Sequence, residues 1–208
     1  MPKLADAPGP IVATARLVLR PFDDMDRAPF FALNTHPLVV ESLGSSPTRA
    51  ESDAMLERYS AEMDREGWGL WALAESAAGE GETGAPFVGM VGLHRVRPVL
   101  PCAPAVEIGW RLHPDHWGHG YATEAAAASL RFGFENDLTE IVAFTTTVNT
   151  RSRAVMERIG MRHDAAGDFD HPSVPEGSPL RRHVLYRVAA TDGAGPWGPG
   201  SQVRPTVA

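Results

Sequence analysis

Apolar and polar positions first fall into step at Thr14-Ala-Arg-Leu-Val-Leu-Arg-Pro, where Leu17 and Leu19 alternate with Val18 and Arg20. A period of two predicts a strand, and Pro21 ends it because proline cannot donate to a ladder. Asp26 then precedes Phe30, Phe31 and Leu33, the spacing of a short helix, and Thr48 with Glu51 three residues later forms a capping box for a helix to about residue 65. Residues 69–75 and 87–96 read as paired strands, and 105–112 as a further strand. The Ala-rich run 121–135 reads as a helix, the β-branched run 140–148 as a strand, and 152–159 as a helix that Gly160 stops. Two last strands are expected around 161–169 and 180–188.

The intervening segments set the boundaries. Residues 1–13 form a Pro- and Ala-containing arm, 14–190 one catalytic-sized domain, and 191–208 a Gly/Pro-rich tail too poor in apolar residues to order itself. The turn-rich connector at 77–86 should be mobile. Strands interleaved with helices predict an α/β (α+β) fold, a sheet covered on both faces.

Composition narrows the function classes. The 208 residues carry 19 basic and 26 acidic side chains, a formal charge of −7, with no basic stripe that could track a phosphate backbone, so nucleic acid is not an expected partner. An acidic surface favours a cationic amine only weakly. Cys102 is the single cysteine, which precludes an intramolecular disulfide and suits a reducing compartment. The first residues lack an apolar leader core of about 7–15 residues, and no window approaches the ~18 apolar residues of a membrane span. A cytoplasmic protein without a membrane partner is expected.

The chemistry concentrates in Val106-Glu-Ile-Gly-Trp-Arg-Leu-His-Pro-Asp-His-Trp-Gly-His-Gly-Tyr-Ala-Thr-Glu-Ala-Ala. A strand stops at Pro114, a Gly-rich turn follows and a helix starts, so unpaired N–H groups converge on a positive dipole end that can cradle an anion. Gly118 and Gly120 let the backbone approach a phosphate closely, and Ala122 keeps the space clear. The same glycines would also serve a plain tight turn. A dinucleotide fingerprint is matched only through Gly118 and Gly120, with Thr123 in the third place, and no Gly-Lys-Ser/Thr follows to make a Walker loop. His113, His116 and His119 are spaced like metal ligands, but Pro114 and the glycines break any helix that would align them. No metal is expected. Cys102 has no neighbouring base or helix start to activate it as a nucleophile.

Gly-Trp-Arg-Leu, Trp-Gly-His-Gly-Tyr-Ala-Thr-Glu-Ala, Asn149-Thr-Arg-Ser152 and Arg158-Ile-Gly-Met161 occur in order. Together they resemble the GNAT superfamily of N-acetyltransferases, in the branch of the ribosomal-protein alanine N-acetyltransferases. Arg16-Leu-Val-Leu-Arg-Pro, Val88-Gly-Met-Val-Gly-Leu and His183-Val-Leu-Tyr-Arg extend the resemblance over about residues 14–188. It implies a mixed, mostly antiparallel sheet of about seven strands with helices on both faces. It also implies that acetyl-CoA is the co-substrate, with its pyrophosphate on the amides of Gly118, His119, Gly120, Tyr121, Ala122 and Thr123. The pantetheine arm would pair with the strand near Trp110 and Leu112, and Asn149 and Ser152 would reach the arm and the sulfur. Asn ending a strand and Ser capping a helix would account for the last two equally well. Trp117 stands where the superfamily commonly has Arg or Gln, and His119 is the nearby candidate for the missing positive charge.

Acyl transfer to an amine needs a base, a polarised carbonyl and a proton for the departing thiolate. Glu107, beside a bulge expected at Gly109, is the candidate base, with an ion pair to Arg111 or to a neighbouring strand as its structural alternative. Ser152 or an ordered water is the candidate donor to the thiolate. Trp68, Trp71, Asp170, His171 and His183 are candidates for the acceptor site. The expected partner is an amine-bearing acceptor, a protein N-terminus or a small molecule, and the chain should act as a monomer or homodimer. A non-catalytic acyl-CoA-binding module and an antibiotic- or polyamine-modifying enzyme are the alternatives.

Overall fold

The computed structural model describes residues 9–76 and 86–192. The expectations for most of the N-terminal arm, for nearly all of the 77–86 connector and for most of the tail lie outside them. Strand β1 (Val12–Ala13) pairs antiparallel with β2 (Leu17–Arg20), so order begins before residue 14. A 3-10 turn, Asp24–Asp26, leads into α1 (Arg27–Thr35). Asp23 caps that turn, in a capping box with Asp26. Asp26 itself takes a two-pronged ion pair from Arg20, at 2.7 and 2.8 Å. Helix α2 (Pro37–Leu43) was not expected, although Pro37 occupies the position after the cap where proline favours a helix start. Helix α3 (Arg49–Glu66) carries the expected Thr48/Glu51 capping box.

Strands β3 (Leu70–Glu75), β4 (Phe87–Arg95) and β5 (Val106–Leu112) continue the antiparallel sheet. Helix α4 (Tyr121–Glu135), β6 (Glu140–Thr146) and α5 (Thr150–Arg158) follow. The predicted strand at 161–169 is split: β7 (Arg162–His163) and β8 (Phe169–Asp170) flank a turn in which Asp164 accepts from the Gly167 amide. Both pair with the last strand, β9 (Arg182–Ala189), giving the order β1-β2-β3-β4-β5-β6-β9-β7. Among the described residues the sheet has nine strands rather than about seven because three of them, β1, β7 and β8, are dipeptides.

Alternation sorts the sheet's two faces. Leu17, Leu19, Trp71, Leu73, Val91, Leu93 and Ile108 share a core with Ala125 and Leu130 of α4, while Leu70, Ala72 and Met90 pack with Phe30 and Leu56 of α1 and α3. The decisive irregularity lies between β5 and β6. They are the only parallel neighbours among the described strands and share one pairing, Glu107 with Val142. Beyond it β5 runs on to Leu112 and β6 to Thr146 without pairing to each other, so the sheet opens between them.

Candidate active site

The opening ends at a cradle. Gly118 (φ 82°) and Gly120 (φ 80°) both adopt the left-handed conformation that side chains resist. Gly120 is the N-cap of α4 and has no side chain to cap it, and the Glu124 amide donates to the Gly120 carbonyl to open the helix. The amides of Tyr121, Ala122 and Thr123 therefore face outward at a positive helix end. Trp117 does not reproduce a basic residue. Its indole donates to the Leu112 carbonyl at 2.9 Å, and the Arg151 guanidinium lies over its ring at 4.5 Å. Arg16 donates to the His119 carbonyl at 3.0 Å and pairs with Glu124 at 2.6 Å. Arg16 and Arg151 both line the cleft, so the cradle's cations come from positions the motif does not contain.

Along β5 the backbone faces alternate. His113 donates to Val88 and Val96 to Ala105, which aims the odd-numbered peptide groups at β4 and those of Ile108, Trp110 and Leu112 at the opening. With the Leu112 carbonyl taken by Trp117, the N–H and C=O of Trp110 and the N–H of Leu112 are what the edge offers to an extended ligand. Asn149 faces them from the β6 side. Its side chain accepts from the Ser152 amide at 3.2 Å and donates to the Ser152 and Thr145 hydroxyls at 3.2 and 3.1 Å. The cap of α5 is therefore Asn149, with Ser152 one turn inside, and the helix starts two residues earlier than expected. Both line the cleft.

A continuous cleft of about 1690 Å³ passes from this cradle through the opening to the α1–α3 side. Glu107 sits at its middle, with a side chain 12% exposed. Burial pushes its carboxyl up to about 8, against a smaller opposing pull from Arg97. Its neighbour is His94 on β4, Nε2 to Oε2 3.3 Å. Burial pushes the His94 imidazole down, its contact with the Arg95 carbonyl opposes this, and Arg58 and Arg97 push it down further. Burial thus favours the neutral form of both partners.

A family model described as an acetyltransferase (GNAT) domain matches residues 16–162. The chain belongs to the GNAT acetyltransferase family. It is thereby an acetyl-CoA-dependent N-acetyltransferase. The chain is 32% identical over 162 residues to the FsC-acetyl coenzyme A-N(2)-transacetylase of Aspergillus fumigatus, spanning 74% of this chain and 66% of that protein, just under two thirds of its length. An acetyltransferase structure from Agrobacterium tumefaciens is 27% identical with a TM-score of 0.65, covering 90% of this chain and 94% of that one. The structure of Mycobacterium smegmatis RimJ in complex with CoA-disulfide shares the fold at TM-score 0.62 and 22% identity, over 88% and 87% of the two chains.

In this GNAT chain several expectations need correction. The bulge expected at Gly109 is absent, since the β4–β5 ladder runs unbroken from Gly89–Leu112 to Arg95–Val106. The unusual backbone lies across the ladder at Gly92, φ 147°, where a Cβ would come within 2.2 Å of the Gly69 carbonyl oxygen. Glu107 pairs with the neighbouring strand and not with Arg111, whose guanidinium donates to Asn34 of α1. His119 does not line the cleft; its ring lies 5.6 Å from that of Tyr121.

Of the turn histidines, His113 lies against His36 and, at 6.4 Å, against His116, which meets Glu75 at 3.1 Å and shares the Tyr121 ring with His119. Trp71 is fully buried, with its indole on the Pro10 carbonyl, and Trp68 is buried too, so both belong to the core. Asp170 pairs with Arg182 at 3.4 Å outside the cleft, whereas His171 and His183 line it, ring to ring at 5.1 Å. Burial, and then Glu107, push the Cys102 thiol up, away from nucleophilic use. Among the described residues no helix is long and apolar enough to cross a membrane.

His94, Arg16, Glu124 and Arg151 were missed as site residues. For His94 the available signal was strand alternation, which sets it on the Met90 face of β4 opposite Glu107. Nothing local marks Arg16, 108 residues from the carboxylate it holds.

Proposed function

We propose that acetyl-CoA lies with its pyrophosphate on the amides of residues 118–123 and its pantetheine arm against Trp110 and Leu112. A primary amine enters from the α1–α3 side and attacks the thioester directly in a ternary complex. The observation that carries this reading is the single cleft that crosses the sheet where β5 and β6 part, with Glu107 at the crossing. Glu107, with His94 beside it, takes the proton from the amine directly or through water, and the N–H groups of the β5 edge polarise the carbonyl. Ser152, held by Asn149, gives a proton to the thiolate. No enzyme nucleophile is required. Two-ended access separates this reading from a non-catalytic acyl-CoA-binding module, which needs only the cradle. The test is thiol release from acetyl-CoA with a panel of peptides, amino acids, polyamines and aminoglycosides, with the product identified by a 42 Da mass shift expected for one acetyl group, roughly the mass of added C2H2O. Acetyl-CoA binding without amine-dependent thiol release would overturn it.

A further inference from the structure

Three arginines on the α1–α3 face, Arg20 and Arg27 buried and Arg111 half-buried, are not treated alike. Arg20 is held by Asp26 at 2.7 and 2.8 Å, and Arg27 by Asp24, Glu57 and Asp53 at 3.0, 3.4 and 3.7 Å. Arg111 projects from the same face of β5 as Glu107, since residues two apart on a strand share a side. Its polar partner is a neutral amide: one guanidinium nitrogen donates to the Asn34 side-chain oxygen. Asn34 is itself buried and fixed, because its NH2 donates to the Phe30 carbonyl at 2.7 Å. No carboxylate meets Arg111 among the described residues. A desolvated guanidinium without a counter-charge is costly, and it retains most of its five donors.

The surroundings share its sign. Arg58 and Arg97 line the cleft beside His94, and Arg97 also acts on Glu107. The carboxylates lining the cleft are Glu62, Glu107 and Glu124, and Glu124 is already committed to Arg16 at the cradle. A chain of formal charge −7 thus lines the acceptor half of its cleft with cations. The phosphates of the cofactor do not account for them. The cradle lies at the far end of the cleft with Arg16 and Arg151 of its own, and Arg111 faces the other side of the sheet.

We infer that the acceptor is an amine that also carries a carboxylate, which Arg111, set in place by Asn34, binds while the amine lies at Glu107. This inference rests on the transfer reading above and names its substrate class. At about 3.3 Å per residue, Glu107 and Arg111 stand roughly 13 Å apart along β5, so the carboxylate belongs to a side chain or distal position, not to the carbon bearing the amine. Polyamines and aminoglycosides, which are cations throughout, are disfavoured at such a wall.

The test compares Ala-Glu-Ala-amide with its neutral isostere Ala-Gln-Ala-amide, and with spermidine, as acceptors for the full-length chain. The acidic peptide should exceed the neutral one by about tenfold or more in kcat/KM, mostly through KM, as expected where a charge-assisted bidentate contact is lost. Arg111→Gln should bring that ratio to within about threefold of unity, and Arg111→Met, which fills the same space without donors, should do the same. Equal use of both peptides by the wild type, preference for spermidine, or an equal loss on both peptides in the variants would overturn the inference. A binding measurement keeps it separate from turnover: glutarate should raise the melting temperature of wild type and not that of Arg111→Gln. If no amine is acetylated while glutarate still binds through Arg111, the transfer reading fails and the carboxylate site stands. If glutarate leaves the wild type unmoved, the carboxylate site fails.

Discussion

The two halves of the cleft are built by different means. The half proposed for the cofactor is mostly backbone, with αL glycines, an uncapped helix start and a strand edge whose peptide groups face an opening. The acceptor half is mostly side chain, drawn from β4, β5, α2, α3 and the segments around His171 and His183. A backbone site demands only that certain side chains be small, and one contiguous stretch can supply it. A side-chain site needs particular charges to converge from distant parts of the chain.

The largest expected effect tests the point where the halves meet. Glu107→Gln should lower kcat by about 10²–10⁴-fold while acetyl-CoA affinity, measured by calorimetry, changes little. In the wild type the rate should rise with pH as Glu107 loses its proton near 8. That ionisation should vanish from the variant's profile, with amines of different pKa used to remove the acceptor's own deprotonation. A variant within a few-fold of wild type would make Glu107 structural.

Gly120→Glu attacks the cofactor half alone. It places a side chain at φ 80° and a negative charge where the phosphates dock, so acetyl-CoA affinity should fall by roughly 100-fold or more in a protein that still folds. Unchanged affinity would remove the cradle from the binding site. Asn149→Ala is a milder probe: losing the α5 cap should cost about 1 kcal/mol of stability, and the loosened Ser152 should slow turnover several-fold. A stability loss with unaltered turnover would leave Asn149 a cap and nothing more.

The smallest effect is thermodynamic. The folded-state value of Glu107 lies above its ordinary 4.5, so the native protein favours the protonated form. Its contribution is complete below about 4.5 and is lost as pH rises through 8. Glu107→Gln should therefore melt close to wild type near pH 5 and roughly 10 °C higher near pH 9. Equal melting temperatures at both pH values would mean that His94 already offsets the burial of the charge.

Legibility followed the same division. The strand–turn–helix at 106–135 was readable because glycine, proline and alanine act within a few residues of where they stand. The double strand within 161–169 was misread as one run because Asp164, by accepting from Gly167, bends the chain through a turn that apolar periodicity does not register. Helix α2 was overlooked although His36-Pro37 marks its start, and the expected bulge at Gly109 sits instead as an unusual conformation at Gly92.

By itself the sequence determined the glycine turn between β5 and α4, the alternation that puts Glu107, Gly109 and Arg111 on one side of β5, and the family. Those follow from local backbone preference and a period of two, which need no distant partner. Only the tertiary structure decided that His94 and not Arg111 meets Glu107, that Asn34 and not a carboxylate meets Arg111, and that Arg16 reaches the helix start from 108 residues away. Each of those is a choice among charged partners set by which strands register and which helices cover them, and the electrostatic environment of a buried group exists only once that packing has excluded water.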